Sequence, residues 1–134
     1  MRVFFLTCLI IIDQAVKYFL LRNNLWSLLC NQKAAWGIGL PGNFLLLSTL
    51  LAIIFLFWLA KRSNWDWPYI LLLAGGLSNL FDRYWRGCVP DFIYLGRWPF
   101  FSFLSWFPVF NLADIFLTVG IIWLLSSWLQ ENRK

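Results

Sequence analysis

Histidine is absent from this chain, which removes the common catalytic base and the commonest metal ligand together. Cysteine is sparse. Cys8, Cys30 and Cys88 are odd in number and show no CxxC spacing, which argues against a disulfide framework or a zinc site. No metal or cofactor is expected. Charged residues are scarce too, at 13% against 61% hydrophobic, and that balance excludes an ordinary soluble domain. The 134 residues leave room for one domain. What is abundant is aromatic: 14 Phe and 10 Trp fit a membrane-embedded chain whose indoles sit at the headgroup level. The net charge of +5 suits contact with membrane lipid. The basic residues are scattered singly, so no nucleic acid is expected.

Four apolar stretches read as spans, at residues 3–21, 44–60, 68–84 and 109–128. Arg2 before the first looks like the start of a signal peptide, but Asp13 and Lys17 inside the run argue for a retained span. Asn43 is a candidate cap for the second helix, and Pro68 suits the first turn of the third. Residues 22–43 form a polar connection. Residues 86–107 form an aromatic loop (Tyr94, Trp98, Phe100, Phe101, Phe103, Trp106) suited to the membrane surface or to short strands. The expected fold is an all-α integral membrane protein, a four-transmembrane-helix bundle in one membrane domain.

The densest polar stretch is residues 75–92, GGLSNLFDRYWRGCVPDF. Gly75, Asn79, Asp82 and Arg86 share one helix face. Gly87 and Pro90 end that helix and leave Asp91 in a bent or extended segment. With four spans, the end of the first, start of the second, end of the third and start of the fourth reach one membrane face. Asp13, Lys17, Asn31, Asn79, Asp82, Arg83, Asp91, Asn111 and Asp114 all lie at or near those ends. Several have simple structural explanations. Asp13 and Lys17 at i, i+4 pair with each other, Asp82 and Arg86 form an interfacial ion pair, and Asn111 caps the last helix above Asp114. Lys and Arg are balanced between the two faces, but those on the terminal side sit flush with the spans. This tilts the orientation towards termini inside and polar residues outside.

If Asp91 and Asp114 face each other in a partly dry site, both cannot ionise and they share a proton. One acid then takes a proton from water while the other protonates a carbonyl oxygen or leaving amine. Asn79 and Asn111 would hold the substrate main chain, with Asp82, Arg83 and Arg86 in support.

The chain resembles the lipoprotein signal peptidase (signal peptidase II) family, in five segments that occur in order. Asp13-Gln14 with Lys17 is similar to D-Q-x-x-K. Asn31 to Gly37 is similar to N-x-G-x-A-F, with Lys33 and Trp36 departing from it. Gly75-Gly76 through Asn79, Asp82 and Arg83 resembles G-G-x-x-G-N-x-x-D-R, with Ser78 in place of the third glycine. Gly87, Val89, Asp91 and Phe92 resemble G-x-V-x-D-F, and Phe110-Asn111, Ala113-Asp114 and Gly120 resemble F-N-x-A-D followed by glycine. The resemblance implies Asp91 and Asp114 as a catalytic aspartyl dyad. Asn79, Arg83, Asn111, Asp13, Lys17, Asn31 and Asp82 become its substrate-binding or supporting residues. It further implies a β-cradle on the site side, a bacterial inner-membrane location and a monomer. The implied substrate is a diacylglyceryl-modified prolipoprotein, cut on the amino side of the lipidated cysteine. Two rival readings of the residues are a Ser–Lys peptidase using Ser78, Ser102 or Ser105 with Lys17 or Lys33, and a small transporter or assembly factor.

Overall fold

Among the described residues of the computed structural model, four α-helices follow one another: α1 (Arg2–Asn23), α2 (Gly42–Arg62), α3 (Trp67–Arg86) and α4 (Leu112–Glu131). The described residues are 1–23, 29–32, 41–97 and 99–133, so Lys33, Trp36 and Gly37 lie outside them. α1, α2 and α4 are long and apolar enough to cross a membrane. α3 is not among them, and its second half carries Asn79, Asp82, Arg83 and Arg86. It is nevertheless the central element, packing against each of the other three helices.

Outward faces of α1, α2 and α4 expose large apolar side chains such as Phe4, Ile11, Leu51, Phe55, Ile122 and Leu125. Lipid tails are as apolar as these side chains, so helix association in a bilayer rests on close packing rather than on water exclusion. Glycines supply that packing. A Cβ at Gly75 would collide with the Ala113 carbonyl oxygen, and one at Gly120 would lie 2.8 Å from Leu72 Cγ. Leu6, Ile53, Ala60, Ile70, Leu73 and Ala74 form an apolar core reaching to the terminal side. Polar residues occupy the other end of the bundle.

Helix ends follow local chemistry. Gly87 closes α3 at φ +75°, the left-handed conformation that glycine adopts at least cost. Asn111 caps α4 by accepting from the Asp114 N–H. Asn43 does not cap α2, which starts one residue before it at Gly42, after Pro41.

Beyond the helices, β1 (Leu29–Asn31) pairs antiparallel with β2 (Val89–Asp91), placing Leu29 opposite Asp91, Cys30 opposite Pro90 and Asn31 opposite Val89. Ile93 continues the pairing with a bridge to Phe110, just before α4. The aromatic loop then forms two 3₁₀ turns, Leu95–Arg97 and Pro99–Leu104. Phe100, Phe103 and Trp106 are exposed there. Cys30 and Cys88 are joined in a disulfide, contrary to the expectation from cysteine spacing. Counting short spacings detects local ligand sets and cannot see partners 58 residues apart in sequence. Closing a loop of that length constrains the unfolded chain by about 4 kcal/mol in the chain-entropy account.

Candidate active site

The site rests on an ionic cluster between α1 and α3, in which Asp13, Lys17 and Asp82 are fully buried and Arg86 is partly exposed. Lys17 Nζ lies 2.6 Å from both Asp13 Oδ2 and Asp82 Oδ2, and Arg86 pairs with Asp82 Oδ1. Two acids and two cations thus meet where a lone charge would be prohibitive. The Asp82–Arg86 pair expected at the interface is therefore different in kind, because Asp82 is fully buried and shared with Lys17. Gln14 completes the cluster, donating to Ser78 Oγ at 2.8 Å and to Asp82 Oδ1 at 3.1 Å while accepting from Arg86 at 2.8 Å. Ser78 is absorbed as well, donating to Asp13 Oδ2 at 2.5 Å.

This cluster aims the next layer. Asp13 Oδ1 accepts from the Ala113 N–H at 3.0 Å, so a side chain of α1 satisfies an N-terminal donor of α4. Lys17 Nζ donates to Asn79 Oδ1 at 3.2 Å, and Asn111 Nδ2 donates to the same oxygen at 3.3 Å. With its oxygen held twice, Asn79 turns its Nδ2 towards Asp114 Oδ1, at 2.9 Å.

Asp91 and Asp114 both line one cavity of about 780 Å³. Asp91 leaves β2 nearly buried and accepts from Asn31 Nδ2 at 2.9 Å and from Asn111 Nδ2 at 2.7 Å. Asp114 is half-buried in the first turn of α4, and its Oδ2 accepts from the Asn111 backbone N–H at 3.1 Å. Asn111 therefore donates to both carboxylates, once from its side chain and once from its backbone. Burial pushes the Asp91 carboxyl up to about 6; the Asn31 and Asn111 amides oppose that rise, Asp114 adds to it and Lys17 subtracts. Arg83 reaches the cavity from α3, and Asn31 from β1.

All nine site residues singled out from the sequence thus fall at one end of the bundle, in two connected layers. Asp91, Asp114, Asn31, Asn79 and Arg83 line the cavity, while Asn111, Asp13, Lys17 and Asp82 stand behind it. The part of Gln14 was not legible as more than a motif letter, and the bond of Ser78 to Asp13 depends on two helices meeting. Ser78 and Lys17 do not form a nucleophile and base: Ser78 is fully buried against Asp13, and Lys17 is held by two carboxylates. Among the described residues of the cavity wall, Leu45, Ile53 and Leu56 of α2 face Ile115, Leu117 and Ile121 of α4 across an apolar space. A carboxylate pair thus stands at the head of an apolar groove.

Comparison with known proteins is consistent with this geometry. The family model described as signal peptidase (SPase) II matches residues 5–130. The chain is 31% identical to the lipoprotein signal peptidase of Rickettsia akari (strain Hartford), over 94% of this chain and 72% of that protein. It is 28% identical to that of Rickettsia prowazekii (strain Madrid E), over 93% of this chain and 73% of the relative. A bacterial membrane enzyme solved by the in meso method at 2.3 Å superposes with a TM-score of 0.83 and 26% identity, covering 98% of this chain and 88% of that one. A second, solved at 1.9 Å, gives 0.79 and 27%, covering 96% and 92%.

Proposed function

This chain belongs to the signal peptidase II family, and from that premise we propose that it is an aspartyl endopeptidase that removes signal peptides from diacylglyceryl-modified prolipoproteins. The observation that carries the reading is the pair Asp91 and Asp114, set in one cavity and joined through Asn111. Asp91, whose proton-bearing form is favoured by burial, donates to the carbonyl oxygen of the scissile amide. Asp114 takes a proton from the attacking water. The gem-diol intermediate then collapses: the proton gained by Asp114 passes to the leaving amine as the C–N bond breaks, and one of the two hydroxyl protons returns to Asp91. Asn79 and Asn31 hold the extended main chain of the substrate, and Arg83 supplies positive charge beside the two acids. Cleavage falls on the amino side of the lipidated cysteine, with the acyl chains and the apolar signal segment in the groove between α2 and α4.

The chain is a bacterial membrane protein. In this reading α3 is the fourth span, because it packs centrally among three membrane-crossing helices. The termini are cytoplasmic and the site lies near the outer leaflet of the inner membrane. The Cys30–Cys88 disulfide supports that side, since such bonds persist where conditions are oxidising. The test is incubation of the purified protein with a diacylglyceryl-modified precursor peptide and its unacylated twin, with the cut located by mass spectrometry. The expected result is cleavage of the acylated peptide alone, abolished by Asp91→Asn or Asp114→Asn. Intact acylated peptide beside folded protein would sink the proposal.

A further inference from the structure

We propose that the Cys30–Cys88 cross-link is a positioning device for the active site, fixing the register of β1 on β2 so that the Asn31 amide stays against Asp91. The alternation of strand side chains carries the argument. Cys30 and Cys88 lie diagonally on one face of the two-stranded ribbon, and Asn31 and Asp91 lie diagonally on the other. The covalent diagonal on one face thus sets the hydrogen-bonded diagonal on the other, Asn31 Nδ2 to Asp91 Oδ2 at 2.9 Å.

The ribbon cannot set this register by itself. Each strand has three residues, and the Pro90 nitrogen faces away from β1, so just the flanking Leu29–Asp91 and Asn31–Val89 pairs supply ladder bonds. A two-stranded ribbon of that length is marginal alone, and a slip of one residue would turn Asn31 to the wrong face. Nothing comparable is needed for the second amide on Asp91, because Asn111 is fixed as the cap of α4. Cys30 is exposed, so a reductant in solution can reach the ribbon.

The consequence is measurable on Asp91 itself. Asn31 favours the charged carboxylate, so releasing it raises the titration of Asp91. The other charged groups that act on Asp91 are Asp114 of α4, Lys17 of α1 and Arg83 of α3. None of them is on the ribbon, which assigns the change to Asn31.

The experiment uses the folded protein in lipid nanodiscs, before and after a dithiol such as dithiothreitol. The dithiol gives two electrons and two protons to the bridge, leaving two cysteine thiols and its own cyclic disulfide. Alkylation should label Cys8 alone before treatment, and all three cysteines after it. Labelling of all three at the outset would overturn the proposal. The Asp91 carboxyl is followed by its infrared band, identified by its loss in Asp91→Asn. On reduction its midpoint should rise by about one pH unit, and the double variant C30S/C88S should show the same value. Reduction acts on protein that has already folded, so the answer does not depend on that variant folding. In Asn31→Ala the midpoint should start high and no longer respond to the dithiol. A midpoint that stays put, or one that moves equally in Asn31→Ala, refutes the device. The kinetic arm rests on the peptidase reading: kcat/KM on the acylated peptide should fall roughly threefold to tenfold on reduction, and not at all in Asn31→Ala. If the untreated protein does not cleave, that reading fails, while the infrared titration still decides the role of the cross-link.

Discussion

Asn111 donates its side-chain amide to Asp91 Oδ1 at 2.7 Å, and its backbone N–H lies 3.1 Å from Asp114 Oδ2. One residue at a helix boundary thus ties an acid on a strand to an acid on a helix. Its side-chain oxygen also accepts from the Asp114 N–H at 3.1 Å, which is the cap that starts α4.

Asn111→Ala removes the Asp91 contact and the cap but keeps the backbone donor to Asp114. The expected outcome is a loss of about 1 kcal/mol in stability and a fall in kcat of roughly tenfold or more. Thermal unfolding in nanodiscs and turnover of the acylated peptide check the two separately. Undiminished turnover would remove Asn111 from the site.

The pH dependence follows from Asp91. Burial raises its carboxyl from 3.8 to about 6, so the folded chain binds that proton more tightly than the unfolded one. Its contribution to stability is therefore greatest below about 3.8 and declines as pH rises to about 6. That slope should vanish in Asp91→Asn, as followed by unfolding from pH 3.5 to 7.5 (about the range in which a carboxyl so raised titrates). The kcat/KM profile should fall on the alkaline side of about 6. The matching limb in kcat should lie higher, because bound substrate excludes water and favours the neutral acid.

Lys17→Ala leaves Asp82 with Arg86 as its cation in the cluster and takes from the buried Asp13 its ion-pair partner. Breaking such a cluster from one side costs about 3–5 kcal/mol. Asn79 also loses a donor on its oxygen, so activity should fall even at temperatures where the variant stays folded. An unchanged unfolding temperature would contradict the role given to this cluster.

Gly75 and Gly76 should respond differently to alanine. At Gly75 the new methyl collides with the Ala113 carbonyl oxygen, which cannot move without shifting α4 and Asp114 with it. At Gly76 it meets only the Ile53 side chain, at 3.3 Å from Cγ1 and 3.6 Å from Cδ1, a far looser contact. Gly75→Ala should destabilise by about 1–3 kcal/mol and depress activity, while Gly76→Ala should be nearly neutral on both readouts. Equal behaviour of the two would show that the α3–α4 contact does not set the site.

Much of this was legible in the chain itself. Apolar runs of spanning length marked α1, α2 and α4, though the third run fell short of that measure, and a few polar residues placed near the ends of the runs could be satisfied only by meeting one another. Asn111 three residues before Asp114 is a capping pattern in any helix, and Gly87 marks the end of α3 for reasons of backbone freedom alone. These are local facts, set by residue type and spacing along a few turns.

Lateral contacts are of another kind. That Cys30 bonds Cys88, that Ser78 serves Asp13, that Gln14 bridges Ser78 to Arg86 and that Asp82 is shared with Lys17 all depend on which faces of separate elements come together. Spacing along the chain determined the ends of the elements and the residues carried there. Only tertiary structure decided how those elements are rotated about their own axes, because that rotation is fixed by the close approach of Gly75 to Ala113 and Gly120 to Leu72. The rotation is what turns a collection of polar residues into two layers around Asp91 and Asp114.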